Sequence, residues 1–322
     1  MPFRTIAALV ALLISGAADA VQAQPLRVLA TVGMVGDLAA AVGGDCAVVE
    51  VLVPAGADPH VYRPTAADVR RLGEAELILH VGFGLEGQFG ALLGRISDRR
   101  PVLAVGPAGV PAEALIPTDE MQGVDPHLWM DPALWSGILA PVAAAMAAQR
   151  PDCAADFTAR AAEAGQDLAA LDGWLRESIA SIPEPLRVLV TAHDAFGYFA
   201  RAYGLREEAI QGLSTESEAG IADIRAVADI VLETGVPVVF VESSVNPRAI
   251  RAMIESVSAR GGHVAVGGEL FSDSLGPDGT AEGTYVGMLR HNGRTVTLGL
   301  GGTPAPWPER LAPFAARWGL AE

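Results

Sequence analysis

Three of the six histidines in this 322-residue chain sit in short stretches suited to holding a side chain rigidly. His60 lies in Ala57-Asp58-Pro59-His60-Val61-Tyr62. His127 lies in Asp125-Pro126-His127-Leu128-Trp129-Met130-Asp131-Pro132, and His193 in Val190-Thr191-Ala192-His193-Asp194-Ala195-Phe196. Neutral imidazole is a common ligand for zinc and its neighbours in the first transition series, so convergence of these three would make a metal site. A single loop histidine is more often structural or solvated than metal-bound. Taken jointly the contexts are better, because Pro59 and Pro126 stiffen two of the approaches and His193 follows a strand directly. Rigid placements lose little ordering entropy when an ion arrives.

Three neutral imidazoles leave a dication under-neutralised and one coordination position open, and a carboxylate meets both needs. The candidates are Asp194, Glu216, Glu242, Glu269 and Asp273. Asp273 stands out because Gly267 to Ser272 reads as a loop leaving a strand, Val264 to Val266, toward the same edge. On spacing alone a turn or capping aspartate is the commoner role. The other histidines read as ordinary: His80 in an apolar strand, His263 after Gly261-Gly262, and His291 in a turn before Asn292-Gly293. Gly82-Phe83-Gly84 and Gly299 to Gly302 lack the strand and helix that phosphate binding requires, and Ser243-Ser244 has no nucleophile-elbow pattern.

The elements that must position these residues alternate. Leu26 to Val32 predicts a strand, Met34 to Val42 a helix, Ala47 to Val53 a strand that breaks before the His60 loop, Ala66 to Leu72 a helix capped by Thr65, and Leu77 to Val81 a buried strand. Pro107 to Gly123 reads as a surface loop. A helix starts at Asp131-Pro132 and runs toward Gln149. Asp152 to Ala180 is a long Ala/Leu/Glu-rich helical run, the natural spine between two lobes. A second alternation follows: strand Arg187 to Thr191, helices Ala195 to Tyr203 and Ile221 to Thr234, strand Pro237 to Glu242, helix Pro247 to Ala259 and strand Val264 to Val266. The fold class expected is α/β, with two lobes, each a small parallel-type sheet flanked by helices, joined by one long helix. The boundaries expected are 1–23 for a signal peptide, 24–150 for a first metal-binding lobe, 151–183 for the linker helix and 184–322 for a second metal-binding lobe. In open parallel sheets ligands collect beyond the carboxyl ends of the strands, where all three histidines fall.

Composition narrows the setting. Arg4, the apolar run Ile6 to Ile14 and the small-residue site Val21-Gln22-Ala23 read as an export signal cleaved before Gln24, which predicts a periplasmic location. The apolar run is shorter than the ~20 residues a membrane span needs. The net charge of −16 survives that cut, since the segment carries one positive and one negative residue. An acidic surface repels nucleic acid, so no such partner is expected, and it suits attraction of cations, although solubility alone explains it. Cys46 and Cys153 have no second cysteine at metal-ligand spacing. In an oxidising compartment they could pair, and the sequence leaves bonded and free equally open.

The quoted motifs, together with Gly212-Leu213-Ser214-Thr215-Glu216-Ser217-Glu218, Val241-Glu242-Ser243-Ser244 and Gly268-Glu269-Leu270-Phe271-Ser272-Asp273-Ser274-Leu275-Gly276, occur in an order that resembles the zinc- and manganese-specific solute-binding proteins of bacterial ABC importers, most of all the TroA type. The resemblance covers essentially all of the mature chain. It implies an exported metal-binding protein rather than an enzyme, acting as a monomer with an ABC permease in the membrane. It implies Zn2+ or Mn2+ as cargo held between two lobes, with ligands at His60 and His127 from the first and His193 and Asp273 from the second. Manganese members often carry Glu where His193 stands. Zinc-dedicated members often carry a long histidine-rich loop where Pro107 to Gly123 has none. A three-histidine set should bind Zn2+ more tightly than Mn2+ in vitro. Two rival readings are an exported zinc hydrolase, which needs an open coordination position and a general base, and a surface adhesin with a structural metal.

Overall fold

The computed structural model describes residues 24–320; the expected signal peptide lies outside them. The first half runs β1 (Leu26–Ala30), α1 (Gly33–Gly43), β2 (Ala47–Val51), α2 (Ala66–Glu74), β3 (Leu77–His80), α3 (Gly90–Ser97), β4 (Val102–Ala104), α4 (Val105–Gly109), α5 (Pro132–Trp135) and α6 (Leu139–Gln149). The spine α7 (Ala154–Ala180) leads to β5 (Val188–His193), α8 (Gly197–Tyr203), β6 (Arg206–Gln211), α9 (Ile221–Thr234), β7 (Val238–Glu242), α10 (Arg248–Ala259), β8 (Ala265–Leu270), α11 (Tyr285–Gly299) and α12 (Ala312–Trp318).

The first lobe holds a parallel sheet in the order β2-β1-β3-β4, with Val28 opposite both Val49 and Leu77. In the second lobe β5 pairs with β6 and β7 with β8, again parallel, and β5 lies against β7. The α/β class and the long joining helix are therefore as the sequence predicts. Pro132–Gln149 is apolar and long enough to cross a membrane by composition, yet its Leu139, Val142, Ala143 and Met146 are buried, and α6 packs on α7.

The apolar interior does not divide where the lobes divide. One cluster runs from the first sheet through α7 into the second lobe, where Leu189, Phe240, Leu270, Tyr285, Met288 and Val296 join it. A separate, smaller one lies on the other face of the two strand pairs, β5-β6 and β7-β8, of the second lobe. There Val188, Val190, Ala192 and Val239 meet Val227 and Val231 of α9 and Met253 and Val257 of α10. Strand alternation produces this split, because successive side chains of β5 point to opposite faces.

Three local readings change. The strand before Asp273 extends to Leu270 rather than ending at Val266, because Gly268, at φ +152°, continues the pairing with Phe240. Part of the expected loop from Pro107 is helical, in α4 and a short turn at Ala112–Ala114. His291 lies inside α11, not in a turn. A β-carbon at Gly293 would fall 2.3 Å from Leu175 of α7, so the Asn-Gly pair serves close helix packing here rather than chain reversal. Cys46 and Cys153 are bonded, tying the start of α7 to the first lobe.

Candidate metal centre

Each of the four side chains reaches the centre from a differently built support. His60 sits on the loop 52–65, whose far end is fixed by a capping box: Thr65 accepts from the Asp68 backbone, while the Asp68 carboxylate accepts from the Thr65 N–H at 2.8 Å and from the Tyr62 hydroxyl at 2.9 Å. His127 immediately precedes the 3-10 turn Leu128–Met130, before Asp131 caps α5. His193 is the last residue of β5. Asp273 stands three residues past β8, held by its neighbours. Asn292 of α11 accepts from Phe271 N at 2.9 Å and donates to Phe271 O at 2.7 Å, and the Trp129 indole donates to Ser272 O across the cleft at 2.9 Å.

These supports bring His60, His127, His193 and Asp273 together in the buried interior, each about 1% exposed or less. One ligand-type atom from each lies within 4.8 Å of all the others, the one such group of four among the described residues. His60 Nε2 is 3.3 Å from His127 Nε2, which is 3.3 Å from Asp273 Oδ1; His193 Nε2 is 3.1 Å and His60 Nε2 3.8 Å from Asp273 Oδ2. For zinc bonds of ~2.0–2.1 Å in a tetrahedron, neighbouring ligand atoms stand about 3.3–3.4 Å apart. The spacing fits. His193 Nε2 and both Asp273 oxygens are also buried without a hydrogen bond, a costly arrangement unless a cation faces them.

Behind the ligand atoms lie two carboxylates. Asp125 accepts from His127 Nδ1 at 2.7 Å. Glu242 accepts from His193 Nδ1 at 2.5 Å and from the backbone N–H groups of Ala192 and His193 at 2.8 and 2.9 Å. Such partners hold a ring proton on Nδ1 and aim Nε2 at the centre, where it offers its lone pair once it gives up its own proton. They also set the charge. Burial alone would pull His127 down, but the Asp125 and Asp273 carboxylates outweigh it and raise the ring to about 9. Burial opposes protonation of His193 too, and Asp273 and Glu242 lift it well above its ordinary value. His60, with no carboxylate on its own Nδ1, is lowered by burial to about 4. Burial would raise Asp273, yet the surrounding imidazoles, His193 first, hold it well below the usual carboxylate range.

Of the other carboxylates considered, Glu242 stands behind His193 instead of facing the centre, and Glu216 and Glu269 are exposed. Asp194 stands outside the converging group and interacts with Glu207. His80 lies 3.5 Å from Glu86, His263 is exposed, and His291 pairs with Glu269 O at 2.9 Å. The role of Asp125 had a sequence signal, an aspartate two residues before a histidine, a spacing at which the side chain caps the following backbone. The backing roles of Glu242 and Asn292 had none.

Known proteins are similar to this chain over most of its length. A manganese-binding lipoprotein, MntA of Bacillus subtilis, is 41% identical over 277 residues, covering 86% of this chain and 90% of its own. The zinc-binding protein TroA of Treponema pallidum is 39% identical over 285 residues, covering 88% and 92%. The manganese ABC transporter substrate-binding lipoprotein PsaA of Streptococcus mitis is 29% identical over 294 residues, covering 89% and 93%. The solved structure of the Treponema pallidum periplasmic zinc-binding protein TroA superposes with a TM-score of 0.83, covering 86% of this chain and 99% of that one. A family model described as ZnuA, zinc-uptake complex component A, periplasmic, matches residues 28–298, and the chain belongs to that family.

Proposed function

We propose that this protein is the exported metal-binding component of an ABC importer. It captures one Zn2+ or Mn2+ ion between two lobes, 24–150 and 184–322, and delivers it to a membrane permease. The ligands are His60 and His127 from the first lobe and His193 and Asp273 from the second. The observation that carries the reading is the convergence of three imidazole nitrogens and one carboxylate, within 4.8 Å of one another, in a buried centre between the lobes. Membership of the ZnuA family and the names of the relatives support both the cargo and the ABC partner. Three nitrogens and one oxygen favour Zn2+ over Mn2+ in affinity. The disulfide between Cys46 and Cys153 supports an oxidising compartment and hence export with cleavage near residue 23, in keeping with a periplasmic site of action. The hydrolase reading lacks support, because four protein ligands leave no position for an activated water.

The test is purification from the exported fraction, elemental analysis, and titration with Zn2+ and Mn2+. One ion per chain is expected, with Zn2+ displacing Mn2+, and His193→Ala and Asp273→Ala should each lose tight binding. Undiminished stoichiometry and affinity in both variants would overturn the site assignment. Unchanged metal uptake in a strain lacking the protein would overturn the transport role.

A further inference from the structure

The sequence contains Asp-Pro-His twice, at 58–60 and at 125–127, and the structure uses the two copies differently. In both, the aspartate Oδ1 accepts from the backbone N–H of the histidine two residues on, at 2.8 Å for Asp58 and 2.9 Å for Asp125. Asp125 also accepts from the ring of its own histidine. Asp58 instead turns its second oxygen, Oδ2, across the cleft to accept from the Thr215 hydroxyl at 2.5 Å. The far nitrogen of the His60 ring is thereby left without support: Nδ1 is buried and has no hydrogen-bond partner among the described residues.

We propose that Asp58 is a positioning residue that ties His60 to the second lobe through Thr215, and that His60 is in consequence the exchangeable ligand, last to close on the ion and first to leave it. This rests on reading the four residues as the ion's ligands. Turning His127 or His193 away from the ion breaks a charge-assisted hydrogen bond to a buried carboxylate, whereas turning His60 breaks none. The supports differ in the same sense. His193 ends a strand, while His60 rides on the loop 52–65, which reaches the second lobe through two polar bonds, Asp58 to Thr215 and Gly56 N to Ser274 Oγ at 2.7 Å. Thr215 lies between β6 and α9 and is itself no ligand candidate. When Thr215 parts from Asp58, the loop carries His60 off and leaves His127, His193 and Asp273 as a three-ligand set spanning both lobes.

The experiment loads the full-length mature protein with Zn2+ and follows its loss to an excess of chromogenic chelator by stopped flow. Thr215→Val, which removes the hydroxyl at constant shape, should speed dissociation about tenfold. Thr215→Ser, which keeps the hydroxyl, should restore the parent rate. His60→Ala should still take one Zn2+ per chain with faster loss, and adding Thr215→Val to it should change nothing further. An unchanged melting temperature of the ion-free Thr215→Val protein separates this from general loosening. The proposal is overturned by a Thr215→Val rate equal to the parent's, by an equal acceleration in the His60→Ala background, or by a His60→Ala protein that takes no Zn2+. Failure of the underlying metal reading shows separately, as a parent protein that binds no Zn2+, and takes this proposal with it.

Discussion

Glu242→Gln isolates what the carboxylate behind His193 contributes. The substitution keeps the shape, and the amide oxygen can still accept the Ala192 and His193 backbone N–H groups that now bind Oε1. The amide NH2 must then occupy the place of Oε2, opposite His193 Nδ1. If the ring keeps its proton on Nδ1, two donors face each other and a charge-assisted hydrogen bond is lost. If the ring changes tautomer, the proton moves to Nε2 and points at the ion's position. Either outcome costs about 1.5–3 kcal/mol, the usual worth of a hydrogen bond to a charged group, or roughly a ten- to 150-fold loss of affinity. Competition for Zn2+ against a chelator of known affinity reads this directly, with Glu216→Gln, an exposed carboxylate of the same lobe, as a control expected to be silent. A Glu242→Gln protein that binds within about threefold of the parent would refute the claim that this carboxylate orients His193.

Proton release offers a second check. His127 at about 9 and His193 well above its ordinary value hold protons at pH 7 in the ion-free protein, while His60 at about 4 does not. Ion binding must displace the held protons, so affinity rises with pH through neutrality and up to about 9, at about two protons per ion. Calorimetry in buffers of different ionisation enthalpy counts them, and none released at pH 7 would contradict the electrostatics. Reduction of the disulfide probes the spine: Cys46 and Cys153 are 107 residues apart, and closing a loop of that size is worth roughly 4–5 kcal/mol in the chain-entropy account. Reductant or Cys46→Ser with Cys153→Ser should lower the melting temperature markedly, and an unchanged melt would show that the bond adds no stability.

Much of the fold was legible because its signals are local. The βα rhythm, the Thr65 cap and the 27-residue α7 follow from periodicity and end signals. β6 escaped notice because Arg206-Glu207-Glu208 reads as solvated, yet it is an edge strand whose Ile210 alone is buried. α11 was hidden by Asn292-Gly293, a turn signal overridden by packing on α7. At the site, proline and strand ends marked the histidines, but spacing could not promote Asp273 above a turn residue. It owes its place to Asn292 and Trp129, which are distant in sequence. The contrast between the two Asp-Pro-His copies was invisible, since only the position of Thr215 distinguishes them.

The two apolar clusters give the molecule an unequal anatomy. α9 and α10 rest on the smaller one together with Ile210 of β6, β5 and β7 contribute to both, and the first sheet, α7 and α11 belong to the larger. α9 and α10 thus form an outer layer of the second lobe with a core of its own, and the segment bearing Thr215 leads straight into it. Because the interior that threads α7 is not shared with α9 and α10, a change confined to their packing leaves the apolar contacts of the spine and the first sheet in place.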